Sequence, residues 1–386
     1  MNSFIESGFW ILLIIIVHSY LIYPIIIFFI SKLYSQPEFK DFAPSISILI
    51  AAYNEEKVIE DRIQNINNLV YDFDKVEVLV GSDCSSDSTN SKLNSLKKNH
   101  PWLKVFLFDK RRGKASILND LVKQSKNEIL IFTDANTVFD KKAIKSLMNY
   151  FQDQTIGGVS GRLILTDANV DSNESVEETK YWKYETKLKK SEGRCGTLIG
   201  ANGGIFAIRR ELFKPIPIEK AVTDDLFISL NVLSKKFKFK YCYESFATED
   251  VGKDVSTEYK RKVRFAATNF QTLLNFKNLL FNQNLLVSYA FWSHKVIRWF
   301  FPFITLFVLL MTIYLLTYSN IYLFILILQL SFYFLAIIGA VFSRFGIRIK
   351  VFSLPYFFVL ANYAIIRGFI KFLRKEHSTV WESTQR

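Results

Sequence analysis

The chain alternates between two hydrophobic regimes. Phe9–Ile30 holds 22 residues with no Asp, Glu, Lys or Arg, and at 1.5 Å per residue a helix of that length reaches roughly 33 Å, enough to cross a hydrocarbon core. Trp299–Thr317 and Ile321–Phe342 are likewise uncharged and joined by a short link, which predicts a helical hairpin. A last run between Lys350 and Arg367 has only 16 uncharged residues, interrupted by Pro355 and Asn362. Roughly 24 Å of helix falls short of a bilayer core unless flanking cations snorkel. With basic residues at both ends it reads as a re-entrant or interfacial segment, a tilted span being the alternative.

Between these runs the period shortens. Ser45–Tyr53, Val76–Val80, Val105–Phe108 and Glu128–Thr133 are apolar strand-like stretches, each followed by a polar helical stretch. Near-continuous apolar strands alternating with helices predict an α/β domain, with a mostly parallel sheet covered on both faces. Such sheets bind ligands at the carboxyl ends of their strands. There the chain keeps Tyr53-Asn54-Glu55, Asp83 and Asp134. Farther on, Gly200–Gly204 is a glycine-rich bend, Leu226–Phe237 reads as a helix, and Thr257–Phe276 is amphipathic and basic. The predicted organisation is an anchor over 1–35, a catalytic domain over 45–255, interface helices over 256–296 and a membrane region with its tail over 297–386.

Composition sharpens this picture. Half the residues are apolar and 22% are charged, which excludes disorder and argues against an all-membrane protein. The formal charge of +13 suits an anionic membrane surface, and no basic-aromatic module supports nucleic acid as a partner. Cys84, Cys195 and Cys242 are far apart and odd in number, fitting a reducing compartment. Glu6 alone is charged before the first run, whereas Lys32 and Lys40 follow it. The positive-inside rule therefore puts the middle of the chain in the cytosol. A transporter should carry ionisable residues inside its spans; the hairpin offers only Gln329.

Each polar motif has a plain reading when taken alone. The stretch from Gly81 to Thr89 could be a helix N-cap, and Gly113-Lys114-Ala115 a solvated basic turn. Asp134-Ala135-Asn136 places two oxygen-bearing side chains at a strand end, which suits a hard divalent cation or a turn. Asp224-Asp225 could favour a helix dipole, or keep one carboxylate basic enough to take a proton from a hydroxyl.

Their order is more informative. Tyr-Asn-Glu, Asp-x-Ser-x-Asp-x-Thr, Gly-Lys-Ala, Asp-x-Asn, a glycine-rich bend, Thr-Asp-Asp and then a basic helix resembles the processive branch of the family 2 glycosyltransferases. That branch includes cellulose, hyaluronan and poly-N-acetylglucosamine synthases. The resemblance spans about Ile46–Phe276 and implies a GT-A fold in a bacterial inner (plasma) membrane protein. It further implies inverting transfer from a nucleotide-sugar donor, expected to be a UDP-sugar, to a polysaccharide or lipid-linked acceptor. Carried over by motif, Tyr53, Glu55 and Asp83 match positions that hold the nucleoside, and Lys114 one near its phosphates. Asp134 and Asn136 match the motif for Mg²⁺ or Mn²⁺. Asp225 matches the general base, with Asp224 beside it, and Arg264 the arginine facing the leaving diphosphate. Phe265, Asn202 and Gly203 fall on the acceptor side. Asn136 stands where a second Asp is usual, and Phe265 where Trp is usual. A non-catalytic sugar-sensing scaffold should have lost base or metal ligand, yet Asp134 and Asp225 are both present.

Overall fold

The computed structural model describes residues 2–35, 41–166, 173–250, 255–281, 284–347 and 349–376. Lys40 and the tail from 377 onward lie outside the described residues. Eight strands form one sheet: β1 (Ile46–Ala52), β2 (Val76–Asp83), β3 (Leu103–Phe108), β4 (Ile129–Asp134), β5 (Val138–Phe139), β6 (Ile156–Thr166), β7 (Phe206–Arg209) and β8 (Lys238–Asp250). Their order is β3-β2-β1-β4-β7-β6-β8-β5. The first four strands are mutually parallel, as the strand–helix alternation predicts. Beyond them β7 runs antiparallel to both its neighbours, which makes the sheet mixed.

Strand side chains alternate between the two faces, and both faces are buried here. Ile46, Ile48 and Ile50 of β1 enter one apolar layer with Ile59, Ile63 and Leu147. Leu49 and Ala51 enter the other, with Ile117, Leu121 and Phe227. The second layer continues without a break into Tyr23, Ile27, Phe291 and Trp299. One face of the sheet is therefore fused to the hydrophobic helices.

In chain order the helices are α1 (Asn2–Val17), α2 (Tyr23–Lys32), α3 (Ile59–Asn67), α4 (Thr89–Asn99), α5 (Lys114–Gln124), α6 (Ala143–Met148), α7 (Asn173–Cys195), α8 (Asp224–Ser234), α9 (Val255–Asn275), α10 (Leu285–Ala290), α11 (Ile297–Leu315), α12 (Asn320–Arg344) and α13 (Lys350–Leu373). α1 and α2 are joined by a π-helical turn at His18–Ile22, and α10 and α11 by another at Phe291–Val296. Among the described residues, four stretches are long and apolar enough to cross a membrane: Ser3–Lys32, Leu285–Leu315, Asn320–Arg344 and Lys350–Leu373. Their outward side chains, among them Ile14, Phe29, Leu310, Phe324 and Ile327, are exposed. A belt of that kind is satisfied by lipid rather than water.

The last stretch corrects an expectation. It is one unbroken 24-residue helix that takes in Pro355, Lys350 and Lys371, so at about 36 Å it is not too short to cross. Yet its second half runs alongside α9 in the same direction. Tyr259 stacks on Tyr363, and Phe270 meets Phe369 and Phe372. Gly368 makes this possible, since a Cβ there would lie 2.4 Å from that of Ala266 and 2.7 Å from the Val263 carbonyl.

Candidate active site

The polar residues predicted at the strand ends do gather there, and the loops bearing them are stitched together. Asn54 adopts a left-handed φ of 53°. Its amide donates to Ser85 Oγ at 3.1 Å, and the Glu55 amide to Thr89 Oγ1 at 2.9 Å. Glu56 in turn accepts from the Ser88 amide and hydroxyl. The small polar residues after β2 thus brace the loop after β1. Tyr53 presents its ring at this edge, with the Arg111 guanidinium 3.5 Å from its centroid.

Asp83 is buried at the end of β2. Its two oxygens accept the backbone N–H groups of Arg112 at 2.7 Å and Gly113 at 2.8 Å. In this structure it acts on the site through the loop it holds. Gly113 has φ of 84°, a conformation glycine adopts without steric cost, and from there α5 starts with Lys114 in its first turn.

Lys114 is the centre of the constellation. Its Nζ donates to Asp134 Oδ1 at 2.7 Å and pairs with Asp224 Oδ2 at 2.9 Å, tying the end of β4 to the start of α8. Burial disfavours the ammonium, but the two carboxylates outweigh it and raise the lysine pKa above its ordinary value. Burial likewise opposes ionisation of Asp224, and Lys114 more than offsets it, so that carboxyl is held below the usual range. Asp225 has no such partner. Burial and the adjacent Asp224 charge push it up to about 6. Two neighbouring carboxylates in environments that drive their pKa values apart form an acid–base pattern. Gly203 brings backbone close to the base, a Cβ there lying 3.4 Å from Asp225 Oδ2.

Arg264 reaches this centre because α9 is pinned to the loop before α8. Thr223 Oγ1 lies 2.8 Å from Thr268 Oγ1 and 3.0 Å from Asn269 Oδ1, and the Thr223 amide donates to Thr272 Oγ1. Burial lowers the Arg264 pKa and Asp224 partly restores it. Phe265, one position on, is 40% exposed, with its ring 5.4 Å from the Arg264 guanidinium carbon and 5.9 Å from that of Arg261.

The expected metal residues diverge. Asp134 turns toward Lys114, while Asn136 Nδ2 donates to Glu249 Oε1 at 3.0 Å. No group of three or more His, Cys, Asp or Glu side chains able to hold a metal occurs among the described residues. The partly exposed Asp134 carboxylate uses only one oxygen on Lys114. A hard cation that takes one protein carboxylate and completes its shell with phosphate and water fits that donor set.

Three contributors are silent in the sequence. Arg62 is buried beneath the site and donates to Thr133 Oγ1 at 2.9 Å. Arg111 packs on Tyr53 as described. Lys189, on α7, donates to Asn202 Oδ1 at 2.6 Å. Asn202 is buried and also donates to the Gly161 carbonyl. A lysine in a Lys-rich helical stretch looks like any solvated charge, so only the packing of α7 singles out Lys189.

Residues 47–216 match the family model for glycosyl transferase family 2. The chain is 26% identical over 242 residues to the poly-beta-1,6-N-acetyl-D-glucosamine synthase of Staphylococcus aureus (strain COL), covering 61% of this chain and 57% of that protein. It is 25% identical over 232 residues to the Staphylococcus epidermidis protein of the same name, covering 59% and 55%. The matched region thus spans little more than half of each relative's length. In fold it is similar to the mannosyltransferase PcManGT from Pyrobaculum calidifontis, solved in complex with GDP-Man and Mn2+. There the TM-score is 0.70 at 17% identity, over 98% of this chain and 100% of that one. Residues 47–216 therefore match glycosyl transferase family 2 within a GT-A-like fold, joined to helices able to cross a membrane.

Proposed function

We propose that this membrane protein transfers a sugar, with inversion, from a nucleotide sugar to a growing cell-envelope or extracellular polysaccharide. The donor is a UDP-sugar and the domain faces the cytosol of a bacterial inner membrane. The observation that carries the reading is the unpaired, raised Asp225 beside the Lys114–Asp134–Asp224 bridge. The synthase relatives support the acceptor class.

In this mechanism the Tyr53–Glu55 edge and the loop held by Asp83 seat the nucleoside. The acceptor hydroxyl lies against Asp225. As its oxygen bonds to the anomeric carbon, its proton passes to the Asp225 carboxylate. The bond from that carbon to the diphosphate breaks on the opposite face, and its electron pair leaves with the nucleoside diphosphate. Lys114 and Arg264 stabilise the charge that develops there. Asp134 would hold a Mg²⁺ or Mn²⁺ ion, which would supply further charge neutralisation at the diphosphate, while Asn136 is engaged by Glu249.

A second reading, addition of a single sugar to a lipid-linked acceptor, is favoured by Phe265. Its ring lies between two guanidinium groups rather than on an open platform for a long glycan. Incubating purified full-length protein with a panel of nucleotide sugars, with products read by mass spectrometry, tests both. A ladder of products supports the polymer, one added sugar supports the alternative, and no transfer from any donor overturns the activity.

A further inference from the structure

Arg62, on α3, is only 2% exposed and has no carboxylate at ion-pair distance among the described residues. Its bonds go instead to two neutral side chains, Asn65 Oδ1 at 2.8 Å and Thr133 Oγ1 at 2.9 Å. Its guanidinium carbon lies 4.1 Å from the centre of the Phe139 ring. These partners bracket one loop. Thr133 precedes Asp134, and Phe139 ends the segment that also carries Asn136 and Thr137. Asn65 closes the far end: its Oδ1 accepts the Phe139 amide and its Nδ2 donates to the Phe139 carbonyl, both at 2.9 Å. A buried cation without a paired carboxylate is costly, so filling space does not explain an arginine here. What it offers over a neutral amide is that a guanidinium donates hydrogen bonds and never accepts them.

That property sets a direction. The Thr133 hydroxyl has one proton, and because Arg62 can only donate to its oxygen, the proton points away from Arg62. It goes to the Gly204 carbonyl at 2.8 Å, whereas the Asp134 carbonyl lies at 3.5 Å. Gly204 belongs to the glycine-rich bend whose Gly203 backs onto Asp225. The bend also meets the loop directly, since a Cβ on Gly204 would lie 3.0 Å from Thr137 Oγ1. A chain of two hydrogen bonds, from Arg62 to Thr133 and from Thr133 to Gly204, therefore joins two halves of the site. One is the Asp134 side, where the donor diphosphate belongs. The other is the Asp225 side, where the acceptor hydroxyl belongs.

We propose that Arg62 is a positioning residue for sugar transfer, fixing the Asp134 loop and the bend beside Asp225 at one separation through the Thr133 hydroxyl. Buried beneath the loop, it acts through Thr133 rather than on a substrate. This rests on the glycosyl-transfer reading above and adds to it a residue that lies in none of the strand-end motifs. A misplacement of about 1 Å can cost about 10²-fold in rate, so loss of the link acts on turnover more than on donor binding.

The test uses purified full-length protein carrying Arg62→Gln, Arg62→Lys, Thr133→Val or the first and last changes together. Glutamine can accept as well as donate, so it frees the Thr133 hydroxyl to turn; lysine, like arginine, only donates. Arg209→Gln is the control. Arg209 is also buried, but it holds the carbonyls of Phe151, Asp153 and Ile156 at the opposite end of β7 from the bend. Peptide-level hydrogen exchange over residues 200–206, without substrate, should speed up in Arg62→Gln and Thr133→Val and far less in Arg209→Gln. Transfer at saturating donor, from the nucleotide sugar selected by the panel above, should fall about 10–10²-fold in both, with the donor KM within about threefold of its starting value. Arg62→Lys should recover part of the loss. The double variant should be no slower than Arg62→Gln, because both changes remove the same link. Thermal unfolding shows which variants fold, and Thr133→Val, which keeps the side-chain shape, carries the test if Arg62→Gln does not fold. Exchange over 200–206 unmoved in the folded variants, or losses that multiply in the double variant, overturns the link. Faster exchange with transfer unchanged overturns its part in the reaction. Absence of transfer by the unaltered protein from every donor in the panel strikes the transferase reading instead, while hydrogen exchange still decides the link.

Discussion

Two ionic clusters lie on either side of the catalytic bend, and they treat charge in opposite ways. The first, where α7 meets the membrane helices, is sealed. Each ring nitrogen of His294 meets a carboxylate, Glu192 at 2.7 Å and Glu185 at 2.9 Å. Arg298 pairs with Glu185 and donates to the Tyr184 hydroxyl, and Tyr23 donates to Glu192 at 2.6 Å. Arg298 Nε is its one buried polar atom without a partner among the described residues. The second cluster, at Lys114, is partly exposed and leaves Asp225 unpaired. A closed network fixes the position of a helix; an incomplete one keeps a proton acceptor ready. Burial alone therefore does not separate structural charges from chemical ones, whereas completeness of pairing does.

The sharpest test of that contrast is Asp225→Asn. It should lower the transfer rate about 10²–10⁴-fold while nucleotide binding persists; a variant retaining more than roughly a tenth of the rate would show that the open cluster is not the base. Breaking the closed cluster should act on stability instead. Glu185→Gln strands Arg298 and His294 and should cost about 3–5 kcal/mol in denaturant unfolding, with transfer per folded molecule changed far less than by Asp225→Asn. The pH profile comes next. Asp225 must be ionised to accept a proton, so the rate should fall as pH drops below about 6. Asp224→Asn removes the neighbouring negative charge, and this acid limb should then move to lower pH. Excess chelator should abolish transfer, and Asp134→Ala should lose metal-dependent nucleotide affinity, as titration calorimetry can measure. The smallest effect is expected at Phe265→Ala, where products shorten more than donor hydrolysis slows, read on gels.

Much of the first half of the chain was legible because its strands are short apolar runs and ligand positions fall at their ends. Tyr53, Lys114, Asp134 and Asp225 were picked out by their place after strands or before helices, and the structure brings the last three to one centre. The polar residues 85–89 do more than the plain capping reading allows: Ser88 makes no side-chain cap bond to α4, and Ser85, Ser88 and Thr89 instead bond to the loop after β1. Asn202 is a positioning residue whose amide is consumed by Gly161 and Lys189. Neither partner is near it in sequence, so no local pattern could foretell this.

The sequence by itself determined the hydrophobic helices, the strand–helix alternation and the identity of the polar groups at strand ends. These depend on residue type and on periods of two or 3.6 residues, which are local properties. Tertiary structure decided which charges are paired. Lys114 and Asp224 are 110 positions apart, yet their charged atoms lie 2.9 Å apart; Glu185 reaches Arg298 across 113 positions. Tertiary packing likewise set the last helix beside α9, where Gly368 admits Ala266. Interaction energy falls with distance in space, not along the chain, so the difference between a sealed clamp and an open catalytic centre exists only once the fold has formed.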